Sequence, residues 1–232
     1  MIRAYARTNG RVTAHELAVG DPLPAGTIWV DLLRPEEAER TYLAASLAID
    51  LPTREEMKEI EASSQLYLEG DILFLTTQVI SRVESPHPEH GELTFVLTPR
   101  HLVTMRYGDP RSITQFAVRI TRQPELIAWA EDALLNLLDA VIDRTADVLE
   151  LIGSRIDALS SRVFNGNGDS PDAQDLRDVM RGIGWAGDLN HKVRASLAGL
   201  DRLVTFLTAQ TTTRLTRSEE HTSELQSHHD LV

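Results

Sequence analysis

Cysteine is absent from this 232-residue chain. Its absence excludes a disulfide framework, a thiolate zinc site and a cysteine nucleophile, and it agrees with a reducing compartment. Long apolar runs are missing too. The most apolar stretch, Ala133–Ile142, is interrupted by Asn136 and Asp139, whereas a membrane span needs about 20 apolar residues. The N-terminal MIRAYARTNG lacks the apolar stretch of a signal peptide. Read alone, these absences suggest a soluble intracellular chain. Bases are scarce against acids: 23 Lys and Arg face 35 Asp and Glu, a formal net charge of -12. Nucleic-acid binding depends on clustered Lys and Arg, so this balance argues against nucleic acid and for cations as partners.

What is present is globular: 42% hydrophobic and 25% charged residues. A chain of this size buries roughly 70–75% of its unfolded surface and needs no staples. The first 123 residues alternate short strands and helices. Ile2–Arg7 reads as a strand, Asn9-Gly10 as a hairpin turn and Thr27–Leu33 as a buried strand. Arg34-Pro35-Glu36-Glu37 predicts a helix start with Pro at the first helical position, continuing from Ala38 to Ala48. Thr53-Arg54-Glu55-Glu56 has the pattern of a capping box before a short helix with Met57 and Ile60 on its apolar face. Gln65–Leu68 and Ile72–Ser81 read as a hairpin around Glu69-Gly70-Asp71. Glu84–Gly91 reads as a polar loop, Leu93–Leu97 and His101–Tyr107 as strands, and Arg111–Thr121 as a helix opened by Asp109-Pro110.

After Pro124 the texture changes. Glu125–Phe164 has no Pro and one Gly, with a repeat at Leu134, Leu138, Val141, Thr145, Val148, Ile152, Ile156, Leu159 and Val163. Steps of three and four place these on one stripe of a long helix, and some forty residues would span about 60 Å. Asn165–Asp169 breaks it, Ser170 and Pro171 are a plausible cap and first turn, and a second helix runs to about Gln210. Leu189, Val193, Leu197, Leu200, Val204 and Leu207 mark its apolar face. The pair reads as a long antiparallel hairpin. Gly182, Gly184, Gly187 and Gly199 inside it suggest close packing against the first helix, or a hinge. The expected units are 1–123, 124–210 and a disordered tail, 211–232. Every residue of Arg217–Ser227 matches the in-frame translation of a common sequencing-library adaptor, so 217–232 is expected to be an assembly artefact.

The first long helix carries a pattern of acids. Asp132, Asp139, Asp143, Asp147, Glu150 and Asp157 fall within an arc of about 80° at 100° per residue. From Pro124 to Phe164 there are eight acids against three Arg, while Pro171–Gln210 balances five acids with five bases. The stripe is either a solvated face or a surface that concentrates hydrated cations. Mg²⁺ prefers carboxylate oxygens and keeps several waters, which makes Asp139, Asp143, Asp147 and Glu150 the candidate metal-facing residues. Other patterns are weaker. His87 and His90 with Glu84, Glu89 and Glu92 have ligand chemistry, but Pro86 and Pro88 argue against the helix that their spacing needs. Trp29, Trp129 and Trp185 read as core or helix-packing residues. Gly182–Gly187 matches GxGxxG but lies inside a helical pattern, where its N–H groups are already committed. No nucleophile elbow or triad signature is present, so no catalytic residue is expected.

Three segments together carry a family resemblance. WVDLLRPEEAE (Trp29–Glu39), LPTREEMKEIEASSQLYLEGDILFLT (Leu51–Thr76) and TFVLTPRHLVTMRY (Thr94–Tyr107), followed by a short helix and a long helical hairpin, resemble the cytoplasmic N-terminal domain of the CorA family of divalent-cation transporters. The resemblance covers roughly residues 1–210. It implies an α+β fold: an α/β/α layered domain with a mixed central sheet, followed by a long antiparallel helical hairpin with its acidic face near the inner membrane surface. It also implies a homopentamer that passes Mg²⁺, often Co²⁺ or Ni²⁺, with cytoplasmic Mg²⁺ holding the pore closed. A zinc-transporting branch, the ZntB-like proteins, shares the architecture. The family's pore signature, Gly-Met-Asn, does not occur: none of Met1, Met57, Met105 or Met180 is followed by Asn. The expectation is therefore a fragment of a CorA-like magnesium transporter with the pore helices missing, not an enzyme and without a cofactor. The intact protein would sit at the inner membrane with this part on the cytoplasmic side. A ZntB-like zinc transporter fragment, or a soluble cation-binding helical scaffold, is the alternative.

Overall fold

A computed structural model describes residues 1–59, 61–164 and 173–229, with side chains described as far as 210 except at 62, 164 and 173. Seven strands form one mixed sheet: β1 (Ile2–Thr8), β2 (Arg11–Leu17), β3 (Thr27–Leu33), β4 (Leu66–Glu69), β5 (Ile72–Ser81), β6 (Glu89–Leu97) and β7 (Leu102–Arg106). Their order is β2-β1-β3-β7-β6-β5-β4, with β3 and β7 the parallel neighbours and the other pairs antiparallel. Asn9 and Gly10 both take positive φ (52° and 73°), the backbone that a two-residue hairpin turn requires. β6 starts at Glu89, so the last residues of the expected polar loop are strand instead; His90 and Gly91 pair with Ile80 and Val79.

Side-chain alternation divides the sheet into two apolar faces. Val30, Leu32, Phe74, Val96, Val103 and Met105 pack against Leu43 of α1 (Glu37–Leu47) and Met57 of α2 (Arg54–Met57), beyond which lies the single turn α3 (Ala62–Gln65). Trp29, Leu73, Leu75, Phe95 and Leu102 pack against α4 (Arg111–Arg122), α5 (Ala130–Phe164) and α6 (Ala173–His229). The layering is α/β/α, as expected. This second core runs across the expected boundary at 123/124, because Ala133, Leu134, Leu137, Leu138 and Val141 of α5 belong to it.

Local chemistry sets the helix limits. Thr53 caps α2 with the reciprocal bonds of a capping box: Glu56 N–H donates to Thr53 Oγ1, and Thr53 N–H donates to Glu56 Oε2 at 2.7 Å. α1 begins two residues later than expected. Glu36 is its N-cap, bonded reciprocally with Glu39, so Pro35 stands before the cap rather than at the first helical position. The first long helix also starts late. A 3₁₀ turn (Pro124–Ile127) precedes it, and the Asp132 carboxylate accepts from the Trp129 N–H at 3.2 Å just ahead of α5. Trp129 is 71% exposed, against the expectation of a packing residue, because the turn directs it away from the core.

The expected break at Asn165–Asp169, the cap at Ser170 and Pro171, and Ile60 lie outside the described residues. The α6 backbone is helical to His229, past the end expected near Gln210; no Gly or Pro interrupts the sequence after Gly199.

Candidate cation-facing site

α5 and α6 run antiparallel. Arg162 pairs with Asp175 at 2.9 Å, Leu159 faces Gly182, and the Arg155 guanidinium lies 4.2 Å from the Trp185 ring centroid. The glycines divide by partner. A Cβ on Gly182 would come within 2.7 Å of Leu159 on α5, as expected of close helix packing. A Cβ on Gly199 would come within 2.6 Å of Thr77 Oγ1, so this glycine brings α6 onto β5 and not onto the first helix. Gly184 and Gly187 face open space. The Gly182–Gly187 pattern lies within α6, with no strand before it.

The acid stripe lies along the outside of this pair. Asp139, Asp143, Asp147, Glu150 and Asp157 are exposed, and Asp132 is half-buried at the start of the helix. Asp139 borders a shallow groove lined by Leu135, Ile142, Val204 and Leu207. Asp147 has a base nearby, with Arg144 at 3.8 Å. Among the described residues no three His, Asp or Glu side chains gather closely enough to hold a metal ion. Neighbours at i,i+4 along a helix have Cβ atoms about 5–6 Å apart and point outward. Such a row can attract an ion that keeps its water shell; it does not form a cage.

The histidine cluster does not assemble. His87 is exposed in the loop before β6, whereas His90 is a strand residue under α6. The Glu84 carboxylate is spoken for by Arg111 of α4 at 2.8 Å and Arg144 of α5 at 2.9 Å. A hydrogen bond from its own backbone N–H, opposed by desolvation and then joined by the charges of Arg144 and Arg111, holds this carboxyl below the usual glutamate value. A cleft of about 910 Å³ opens between this loop and the helical pair. Its acids already face bases: Glu84 those two arginines, Asp178 Arg181, and Asp188 Lys192.

The sequence reading missed a buried ion pair at the centre of the sheet. Asp31 and Arg106 form an ion pair at 2.8 Å with both side chains 3% exposed. Arg106 Nε and Nη2 grip the two carboxylate oxygens, Thr104 donates to Oδ1 at 2.8 Å, and Trp29 Nε1–H donates to Thr104 at 2.9 Å. The free Nη1 end reaches the Gly108 carbonyl and Asp109. Burial lowers the guanidinium pKa, but the bonds to Asp31 outweigh it and the net shift is upward. Every partner lies on, or just after, the parallel β3–β7 pair, so the network fastens that pairing. The available signal was one acid in the apolar run TIWVDLL and one base near the end of HLVTMRY. A lone charge in a buried strand needs an opposite charge in its neighbour.

The fold and the site define a class: an α+β module with helices on both faces of a mixed sheet and a long helical pair that presents carboxylates to solvent. The chain belongs to the family of CorA-like Mg2+ transporter proteins, whose model matches residues 24–230. It is 30% identical over 208 residues to the magnesium transport protein CorA of Yersinia pseudotuberculosis, an alignment covering 89% of this chain and 64% of that protein. The chain thus spans a little under two thirds of the length of that relative. The complete CorA magnesium transporter of Methanocaldococcus jannaschii has the same fold, with TM-score 0.55, 11% identity and coverage of 97% of this chain and 81% of that one. The ZntB cytoplasmic domain of Vibrio parahaemolyticus shares it too, with TM-score 0.50, 12% identity and coverage of 94% and 98%. Among the described residues no helix is long and apolar enough to cross a membrane.

Proposed function

We propose that this chain is the extramembrane part of a CorA-like divalent-cation transporter, and that the intact protein passes Mg²⁺ through a pore in the inner membrane. The observation that carries this reading is the family match over residues 24–230, nearly the whole chain. In this reading the intact protein is a pentamer with 1–123 as its layered unit and 124–210 as its paired helices. Mg²⁺ collected from the cytoplasm between neighbouring domains favours the closed arrangement, so that ion occupancy and domain position are linked. Asp139, Asp143, Asp147 and Glu150 form the surface that concentrates the ion. Their exposure on one face and the net charge of -12 support that role. Co²⁺, Ni²⁺ and Zn²⁺ are competing cargo. We also propose that 217–232 derives from adaptor DNA, although the family match extends into it as far as residue 230. Amplification from genomic DNA across codon 216 tests this, and recovery of the same codons would reject it.

The stripe is tested by titrating Mg²⁺ into the full chain. Weak, salt-sensitive binding is expected, with NMR shifts centred on the four acids, and it is expected to be lost when Asp139, Asp143 and Asp147 are all changed to Asn. Equal binding by that variant would remove the stripe from the reading. Transport is tested separately, by joining the chain to the portion of the Yersinia protein beyond the aligned region. Mg²⁺ uptake by cells carrying the fusion is the expected result. An inserted fusion that carries Zn²⁺ and not Mg²⁺ would replace this reading with the zinc one.

A further inference from the structure

α6 is fastened to the 77–90 segment by three side chains, each donating to a backbone carbonyl. Trp185 Nε1–H donates to Ser85 at 3.4 Å, Lys192 Nζ to Pro88 at 2.8 Å, and Ser196 Oγ to Gln78 at 2.7 Å. His90 lies within this seam. It is half-buried opposite Ile80 on β5, and its Nε2 is buried with no hydrogen-bond partner. A buried ring nitrogen without a partner is tolerable while it carries no proton. Protonation would leave a buried cation with nothing to receive its N–H.

We propose that His90 is a proton-operated release for α6: uptake of a proton on its imidazole loosens the helix from β5 and β6. The surrounding charges set the direction. On α6, Lys192 and His191 act on the ring, and Asp188 pairs with Lys192. On its own strand, Glu92 opposes them and Glu89 is paired with Arg82. On β5, the neighbours Val79, Ile80 and Ser81 carry no charge. Burial is the largest influence and lowers the pKa below 6.5; Glu92 pulls the other way, and Lys192 and His191 add to the lowering. A histidine lowered in the folded state takes up its proton more readily once α6 lets go. The seam is therefore at full strength above the ordinary histidine value of 6.5, and it weakens as pH falls from there through the folded pKa.

Hydrogen exchange on the full chain tests this, comparing about pH 7.5 with about pH 5.5, where most carboxylates are still ionised. After correction for intrinsic exchange rates, the α6 amides from Ala186 to Leu200 are expected to lose protection by about threefold or more, while Ala4 and Val30 in the sheet keep theirs. The loss is expected to vanish in His90→Gln and to persist in His191→Asn. An acid response that persists in His90→Gln, or none in the unmodified chain, would overturn the proposal. If His90→Gln does not fold, an NMR titration of His90 in the unmodified chain decides: a midpoint at or above 6.5 contradicts the mechanism.

Discussion

The two ends of the helical pair carry the same apolar repeat and meet different surroundings. Along α5 from Ala133 to Ile152, the repeat positions Leu134, Leu138, Val141, Val148 and Ile152 are each no more than 5% exposed. Beyond Gly153 the same stripe continues through Ile156, 49% exposed, and Val163, 41% exposed. α6 mirrors this. Leu189, Val193, Leu200 and Leu203 are buried, whereas Leu176, Met180 and Ile183 are more than half exposed. One half of the pair lies on the sheet; the other rests mainly on its antiparallel partner, with Trp185 also reaching the Ser85 carbonyl. Periodicity specifies that a segment is helical; it does not specify what covers the stripe. The far half is held by contacts such as Arg162–Asp175, Leu159 against Gly182 and Arg155 over Trp185, and exposed ion pairs add only about 0–1 kcal/mol each.

The strongest test of this contrast is a pair of truncations. Leu137 is fully buried in the core that α5 shares with the sheet, so Leu137→Ala is expected to cost about 2–5 kcal/mol by urea unfolding. Ile183, 59% exposed on the far half, is expected to change stability by no more than about 0.5 kcal/mol when cut to Ala. Comparable losses at the two sites would mean that the far half is buried in solution, and the contrast would fail.

The glycines sharpen the same comparison on a smaller scale. Gly199→Ala places a methyl against Thr77, a buried β-branched residue with little room to turn, and is expected to cost about 1–3 kcal/mol. Gly187→Ala faces open space and is expected to stabilise by up to about 1 kcal/mol through helix propensity. Thermal melts of the two variants should therefore move in opposite directions. A shared direction would show that α6 is not pressed onto β5 at Gly199.

Much of the fold was legible because its signals are local. The capping box at Thr53 and Glu56, the Asn9-Gly10 hairpin, the hairpin around Gly70 and the long helical repeats each lie within a few residues of the structure they specify. Features formed across long separations were not legible. Asp31 and Arg106 lie 75 positions apart, and only the parallel β3–β7 pairing brings them together. Gly199 and Thr77 meet only after α6 folds back over β5. The acid stripe was legible as a face, because helical geometry fixes it, but its exposure depends on which side of α5 the sheet takes. The late start of α5 came from a competition that sequence alone leaves undecided: Glu125–Ile127 suit a helix, yet a 3₁₀ turn after Pro124 buries Ile127.

The smallest expected effect concerns the loop between the two ends of the pair. Glu84 ties α4 to the near half of α5 through Arg111 and Arg144, but its side chain is 58% exposed, so solvent screens most of the attraction. Its carboxyl pKa is lowered in the folded chain. The stabilisation is therefore complete above the ordinary value of 4.5 and disappears as pH falls through the folded pKa. Glu84→Gln is expected to cost no more than about 1 kcal/mol at neutral pH and to flatten the stability profile slightly below pH 4.5. It removes the acid shared by both arginines, leaving Arg144, among the described residues, the more distant Asp147 at 3.8 Å. A loss several times larger, together with faster exchange at Thr145 and Val148, would show that the near half of α5 is held by this clamp more than by its apolar contacts with the sheet.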